Sequence, residues 1–193
     1  MTESDIGLRE RLVDVGVELL AAEGLRALTL REIARRAGVS HGAPRRYFPT
    51  HLELLSAIAR RGFADLAERA RTTLAHAAAE PRARVAALAR TYLEFALDDP
   101  GMYELMFRHD LLESGHLGLR ETSLPLFGVL AGLVGEARPE ADARRAAGAL
   151  WANLHGLAQL WRWQSLQLAV GGDDLGALLD AVLVAHLGAE GGR

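Results

Sequence analysis

The chain has 193 residues, half of them hydrophobic, with a formal net charge of −3 and no cysteine. This composition predicts a globular protein with one or two small domains, and it excludes disulfides, thiolate zinc sites and cysteine nucleophiles. The N-terminus is acidic, and no apolar run reaches the roughly 18 residues of a membrane span, so we expect a cytoplasmic protein without a signal peptide or membrane segment.

The first predicted helix runs to about Ala22, with Ser4 or Asp5 as its cap. Its apolar residues recur every three or four positions and therefore share one face of the helix. Leu12 and Leu19 are members of this stripe. We expect the stripe to support the segment that follows.

Residues 29–38 predict a short helix followed by a glycine turn. Thr29 and Glu32 have the spacing of a capping box, in which the threonine hydroxyl accepts from the Glu32 N–H and the Glu32 carboxylate accepts from the Thr29 N–H. Ile33 lies on the face that we expect to be buried. Gly38 stands where a helix end favours a residue that readily adopts a positive φ.

A second short helix is predicted directly after this glycine, with Ser40 as its N-cap and Pro44 at its fourth position. Phe48 is the expected core anchor, and Pro49 ends the helix. Two short helices joined by a tight turn form a helix-turn-helix, whose second helix enters the major groove of DNA.

The charge distribution agrees with a DNA-binding role for this segment. Residues 24–51 contain six arginines and one acid, whereas the segments on either side each carry a net charge of −4. An acidic chain that concentrates its positive charge in one short segment directs that segment towards an anionic partner.

The rest of the chain is predicted to be helical, since no segment shows the alternation of a strand. The predicted helices cover residues 52–76, 81–96, 102–112, 117–136, 139–168 and about 174–187. The fold class is therefore all-α, with about nine helices in total. A three-helix helix-turn-helix domain in residues 1–51 precedes a helical bundle in residues 52–193.

Two short motifs are compatible with enzymes but lack the context that each requires. Residues 38–42 fit G-x-S-x-G, yet the nucleophile elbow of an α/β-hydrolase follows a strand, and here a helix precedes it. Glu113 and His116 match half of a di-iron helix motif whose second half is missing. The seven histidines have no metal-ligand spacing. We therefore expect no catalytic residue, no cofactor and no metal site.

The segment after residue 28 resembles the DNA-binding domain of TetR-type transcriptional regulators. The matching residues are LREIA at 30–34, AGVS at 37–40, YFP at 47–49, and Leu52, Glu53 and Leu55. Three positions depart from the usual pattern. Leucine is common in place of Pro44, a phosphate-contacting tyrosine in place of Arg45, and a phosphate-contacting lysine in place of His51, which is the weaker contact.

This resemblance implies DNA contacts for specific residues. The candidates for phosphate contact, which sets the register on DNA, are Thr29, Ser40, Arg45, Tyr47 and His51. The candidates for base edges are His41, Gly42, Ala43 and Arg46. Arg46 suits a guanine, and Ala43 suits the methyl group of thymine.

A second, shorter resemblance involves Trp151, His155 and Gly156, which are similar to the W…HG signature in the ligand-binding domain of some TetR-type regulators. It implies that residues 52–193 bind a ligand and a second subunit. His155 is either a pocket residue or a core histidine bonded to a neighbouring backbone group, and the sequence leaves both open. The candidate ligand-binding residues are Tyr92, Phe95, Met102, Met106, Phe107, Trp151 and His155, although such aromatic and methionine groups are more often core residues.

Together these features predict a transcriptional repressor that binds a palindromic operator in double-stranded DNA as a homodimer. Two modules about one helical turn of DNA apart can read a palindrome, whereas one module offers few base contacts. The last two helices carry apolar faces suited to a four-helix bundle across a two-fold axis. The resemblance implies release by a small-molecule effector, which we expect to be apolar or aromatic.

Two other functions remain open at this stage. The alternative is a helical small-molecule-binding protein whose helix-turn-helix does not bind DNA. An enzyme with a histidine base is a third possibility, for which the sequence shows no paired catalytic groups.

Overall fold

The computed structural model describes residues 3–108, 110–111 and 118–188. The regular elements of these residues are helices, which confirms the all-α class. The α-helices are α1 (Glu3–Glu23), α2 (Leu30–Arg36), α3 (Pro44–Tyr47), α4 (His51–His76), α5 (Pro81–Asp98), α6 (Pro100–Met106), α7 (Leu119–Ala137), α8 (Ala143–Arg162), α9 (Ser165–Val170) and α10 (Leu175–Leu187). A 3-10 turn, Leu25–Ala27, follows α1. The pair Glu113 and His116 lies outside the described residues.

The chain divides into two compact units. The first comprises Met1–Asp65 and Asp99–Ser123, and the second comprises Leu66–Asp98 and Leu124–Arg193. This division reflects packing, and the functional boundary predicted at residue 51 stays a prediction. Among the residues that the structure describes, no helix has both the length and the hydropathy needed to cross a bilayer.

The core of the first unit is built on the apolar stripe of α1. Leu12 and Leu19 are fully buried, as predicted. They share the core with Ile33 of α2, with Phe48, which follows α3, and with Ile58 of α4. Helix α1 packs against α2, α3 and α6. It is therefore the scaffold that holds the two short helices of the helix-turn-helix.

The second unit is built around α8, which packs against α5, α9 and α10. Leu150, Leu154 and Leu157 recur at helical spacing on the buried face of α8. Leu179 and Leu183 are the buried residues of α10. The opposite face of α8 remains partly exposed.

The predicted helix over residues 139–168 is wrong in its bounds, because two helices form there. Asp142 caps α8 by accepting from the N–H of Arg145 at 3.1 Å, so Pro139 precedes the helix and does not open it. Gln164 has a left-handed backbone with a φ of 60°, and this residue separates α8 from α9. A non-glycine residue rarely adopts such an angle, so the break was not predictable from the residue type.

Ser56 of α4 generates a stability prediction. It is fully buried, and its hydroxyl has no hydrogen-bond partner among the residues that the structure describes. A buried hydroxyl without a partner loses its hydration and forms no bond that replaces it. We expect Ser56→Ala to raise the free energy of unfolding by about 1 kcal/mol, measured by urea denaturation. Ala57→Ser, which adds a hydroxyl at the next buried position, is the matched control and should lower it. A loss of stability in Ser56→Ala would contradict this account.

Candidate nucleic-acid and ligand sites

Helix α2 begins with one half of the predicted capping box. The Thr29 hydroxyl accepts from the Glu32 N–H at 3.2 Å, and Thr29 has the extended backbone of an N-cap. The Thr29 N–H, however, donates to the carbonyl of Ala27 at 2.7 Å. The Glu32 carboxylate instead binds Arg35 and Arg36. The reciprocal half of the prediction is therefore wrong, because charged guanidinium groups are stronger donors to a carboxylate than a backbone N–H.

The recognition helix is shorter than predicted. Gly38 has the expected positive φ, 68°, at the turn. Helix α3 then begins at Pro44, and its N-cap is Ala43 and not Ser40. Pro44 therefore occupies the first helical position, where a missing N–H is tolerated, and not the fourth. Ser40 supports the turn through its carbonyl, which accepts from the Ala43 N–H at 2.9 Å.

The two arginines of α3 point away from the core. Pro44 and Phe48 are buried, whereas Arg45 and Arg46 between them are exposed. Because one helical turn separates the two buried residues, the intervening side chains lie on the other side of the helix. Neither arginine has an ion pair or side-chain hydrogen bond within the part of the chain that the structure describes. Both guanidinium groups are available to DNA.

The other predicted DNA contacts lie on or beside the same segment. Exposed positions are Thr29, Ser40, His41 and Gly42, and partly buried positions are Ala43 and Tyr47. Their placement is compatible with the predicted phosphate and base contacts. Each individual contact stays a prediction.

His51, the first residue of α4, is exposed, and its Nε2 lies 2.5 Å from the carbonyl of Leu28. A carbonyl only accepts, so Nε2 carries the proton in this bond. In the neutral ring Nδ1 is then an acceptor, and it can donate to a phosphate only when the ring is charged. The predicted phosphate contact of His51 therefore requires the protonated ring.

Two other arginines of the helix-turn-helix are bound by acids. Glu32 accepts from Arg35 Nη2 at 2.6 Å and from Arg36 Nε at 2.9 Å, and Arg36 also pairs with Glu23 of α1. The hydrogen bonds from Arg35 and Arg36 lower the pKa of Glu32 from its ordinary 4.5 to about 2. Sequence analysis missed this arrangement, although the spacing of three and four residues between Glu32 and the arginines was a usable signal.

Three of the predicted ligand residues meet in the second unit. The Tyr92 hydroxyl lies 2.9 Å from Nδ1 of His155, and Trp151 Nε1 donates to the same hydroxyl at 3.3 Å. Burial lowers the pKa of His155, which favours the neutral ring. A neutral ring can accept a hydrogen bond from the Tyr92 hydroxyl at Nδ1, while the Tyr92 oxygen accepts a hydrogen bond from the Trp151 N–H. A side chain of α5 is therefore one hydrogen-bond partner of His155.

The other four predicted ligand residues contribute to packing. Phe95 is buried in the second unit, and Met102, Met106 and Phe107 belong to the first. The sulfurs of both methionines lie 2.6 Å from the position that a Cβ on Gly62 would occupy, so the absence of a side chain there permits the contact. The role of these four residues in ligand binding stays a prediction.

One neighbour of Trp151, and a cation beside that neighbour, were not predicted from the sequence. The ring of Phe127 on α7 lies 6.2 Å from that of Trp151, centroid to centroid, and the guanidinium of Arg144 lies 5.4 Å from the Phe127 centroid. Phe127 is distant in sequence from Trp151, and no spacing indicates the contact.

The second unit also has two surface grooves, of about 400 and 290 Å³. Arg82, Arg90 and Asp180 line the larger groove, and Thr72 and Thr91 line the smaller. None of the seven predicted ligand residues lines either one. Neither groove therefore supports the predicted ligand site.

The lowered pKa of Glu32 generates a prediction on acid stability. A carboxyl whose pKa falls on folding stabilises the native state above its ordinary value, and this contribution disappears as the pH falls through the native value. The stability difference between wild type and Glu32→Gln should therefore shrink between pH 4.5 and about pH 2. Urea denaturation across this range measures it, with Glu18→Gln as the control. A difference that stays constant over the range would contradict the assignment.

Comparison with known sequences identifies both parts of the chain. The family model described as bacterial regulatory proteins, tetR family, matches residues 12–58. The model described as tetracyclin repressor-like, C-terminal domain, matches residues 85–186. The HTH-type transcriptional regulator BetI of Rhizobium meliloti is 40% identical over 82 residues, which cover 42% of this chain and 40% of that protein. The chain spans about half the length, or less, of the curated relatives it matches.

Solved structures share the fold over nearly the whole chain. A protein of unknown function from Rhodococcus sp. RHA1 has a TM-score of 0.79 and 30% identity, covering 93% of this chain and 95% of that one. The transcriptional regulator FadR from Bacillus subtilis, in complex with stearoyl-CoA, has a TM-score of 0.70 and 18% identity, covering 94% and 99%. The second likeness shows the fold alone. Since a family model matches more than half of its residues, the chain belongs to the tetR family of bacterial regulatory proteins.

Proposed function

We propose that this regulator is a repressor that acts as a homodimer on a palindromic operator and leaves it when a small-molecule effector binds. The observation that carries the proposal is the exposed pair Arg45 and Arg46 on α3. Because α3 has only four residues, one copy presents few side chains to base edges. Two copies related by a two-fold axis would double the contacts and impose a palindrome.

The exposed face of α8 supports a dimer. Leu160 of α8 is 39% exposed, Trp163 directly after α8 is 66% exposed, and Val184 of α10 is 47% exposed. Large apolar side chains in contact with water are typical of surfaces that a second subunit covers. Ala152 and Gly156 share this face of α8, and a Cβ on Gly156 would meet nothing within 4 Å, so a partner helix can approach closely. We infer that α8 and α10 form the two-fold interface.

The hydrogen-bonded group of Tyr92, Trp151 and His155 supports an effector site. Ligand sites typically combine aromatic walls with a few polar groups, and this group supplies both. The FadR structure holds stearoyl-CoA, and from it we carry over only the proposal that this fold accepts a small-molecule effector. An effector lowers operator affinity only if it binds the DNA-bound state less tightly than the free state.

The two arginines of α3 should have different roles. We expect Arg46→Ala to lose on the order of tenfold to a hundredfold in discrimination between operator and mutated operators, because a base contact is removed. Arg45→Ala should weaken all duplexes alike and reduce the salt slope by about 0.9, because a phosphate contact is removed. Titrations on an operator selected from random DNA measure both effects.

Arg11→Ala in α1 is the matched control for these substitutions, and it should change neither quantity. The selected operator is expected to be palindromic. Identical loss profiles for the two α3 variants would contradict the roles assigned to them. Absence of salt-dependent binding to any duplex would favour the small-molecule-binding alternative.

Effector release is tested with stearoyl-CoA and the apolar dye anilinonaphthalene sulfonate as probes. At least one probe should bind the wild type and lower its operator affinity, measured by fluorescence anisotropy of labelled DNA. Tyr92→Phe removes the hydroxyl shared by Trp151 and His155 and should weaken the binding of that probe several-fold. Tyr103→Phe removes the same atom in the first unit and should leave probe binding unchanged. Full operator affinity in the presence of both probes would contradict the proposal.

A further inference from the structure

The six arginines in residues 24–51 form two groups. Arg35 and Arg36 are bound to acids, whereas the other four have no ion pair within the described part of the chain: Arg26, Arg31, Arg45 and Arg46. The formal charge of the segment therefore overstates the number of cations that it offers to DNA.

The acids occupy the edge of each guanidinium that suits a phosphate. A guanidinium binds an oxyanion best through two parallel N–H groups, and Nε and Nη2 form such an edge. In Arg35 this edge lies on Glu32, with Nε at 2.8 Å and Nη2 at 2.6 Å from the two carboxylate oxygens. In Arg36, Nε donates to Glu32 at 2.9 Å and Nη2 donates to Glu23. Each arginine must release a carboxylate before this edge can hold a phosphate.

We propose that Glu32, together with Glu23, withholds Arg35 and Arg36 from DNA and thereby lowers the affinity of the protein for non-specific duplex. The proposal rests on DNA binding by the helix-turn-helix and names the residues that regulate it. Arg31 and Arg35 lie one helical turn apart, and both are exposed. A released Arg35 would therefore extend the cationic surface that Arg31 already provides.

The physical consequence is weaker sequence-independent binding to DNA. Non-specific binding depends almost entirely on the number of phosphates that the protein neutralises. Base contacts from α3 do not involve the two withheld arginines. Glu32 thus lowers the affinity for duplexes of every sequence, while the base contacts that distinguish the operator from other duplexes are kept.

The test compares the salt dependence of binding to a random-sequence duplex. Glu32→Gln keeps the N-cap bond, which uses the backbone N–H of residue 32, and removes the charge that binds both arginines. We expect its salt slope to exceed that of wild type by about 0.9 for each arginine released, so up to about 1.8. A fourfold rise in salt would then cost the variant roughly tenfold more affinity than it costs wild type. Glu18→Gln removes the same charge from an exposed position of α1 and should give the wild-type slope.

A second comparison does not depend on the folding of Glu32→Gln. The double variant Arg35→Gln/Arg36→Gln should keep the wild-type slope, while Arg45→Gln should lower it by about 0.9. The proposal is overturned if the double variant loses slope as Arg45→Gln does, or if folded Glu32→Gln, checked by circular dichroism, has the wild-type slope. A wild-type chain that binds no duplex at low salt would instead overturn DNA binding itself.

Discussion

The orientation of the DNA-binding residues depends on the burial of Phe48. Its side chain is 1% exposed, and the guanidinium of Arg9 on α1 lies 5.0 Å from its ring centroid. Pro44 is buried one helical turn earlier. Because Pro44 and Phe48 face the core, the side chains of Arg45 and Arg46 between them point outward. The surface offered to DNA is therefore a consequence of core packing, and a substitution that shifts Phe48 would turn both arginines without changing either of them.

Packing decides which cations point outward, and acids decide which of them are available. The segment that carries the positive charge of the chain also contains Glu32, and Glu23 reaches it from the end of α1. Counting charges along the sequence treats every arginine as a possible phosphate contact. The structure separates Arg45 and Arg46, which lack ion pairs in the described residues, from Arg35 and Arg36, which must exchange a carboxylate for a phosphate. Exchange of one oxyanion for another yields less free energy than a new contact, because the contact with the carboxylate is lost.

Features that depend on a few consecutive residues were predictable from the sequence. The cap at Thr29, the positive φ of Gly38 and the anchor at Phe48 follow from local backbone geometry and helical periodicity, and each was predicted and found. Features that depend on competition between several groups for one partner were not predictable. Two kinds of donor compete for Glu32: the spacing places Arg35 and Arg36 within its reach, but the outcome also depends on the positions of the side chains. The left-handed backbone of Gln164 was not predictable either, because tertiary packing imposes a conformation that this residue type disfavours.

In the second unit, too, contacts between distant residues could not be predicted from the sequence. These contacts also constrain the proposed effector. Tyr92 and His155 were both candidates, but only the structure shows that one hydroxyl joins His155 to Trp151. Burial favours the neutral form of His155, so the group consists of uncharged dipoles beside the aromatic ring of Phe127. A charged effector group placed among Tyr92, Trp151 and His155 would lose its hydration, and none of these three side chains offers an opposite charge. Neutral effectors with aromatic or aliphatic surface avoid this loss, and that is the physical basis for expecting the effector to be apolar or aromatic at the end that meets Tyr92.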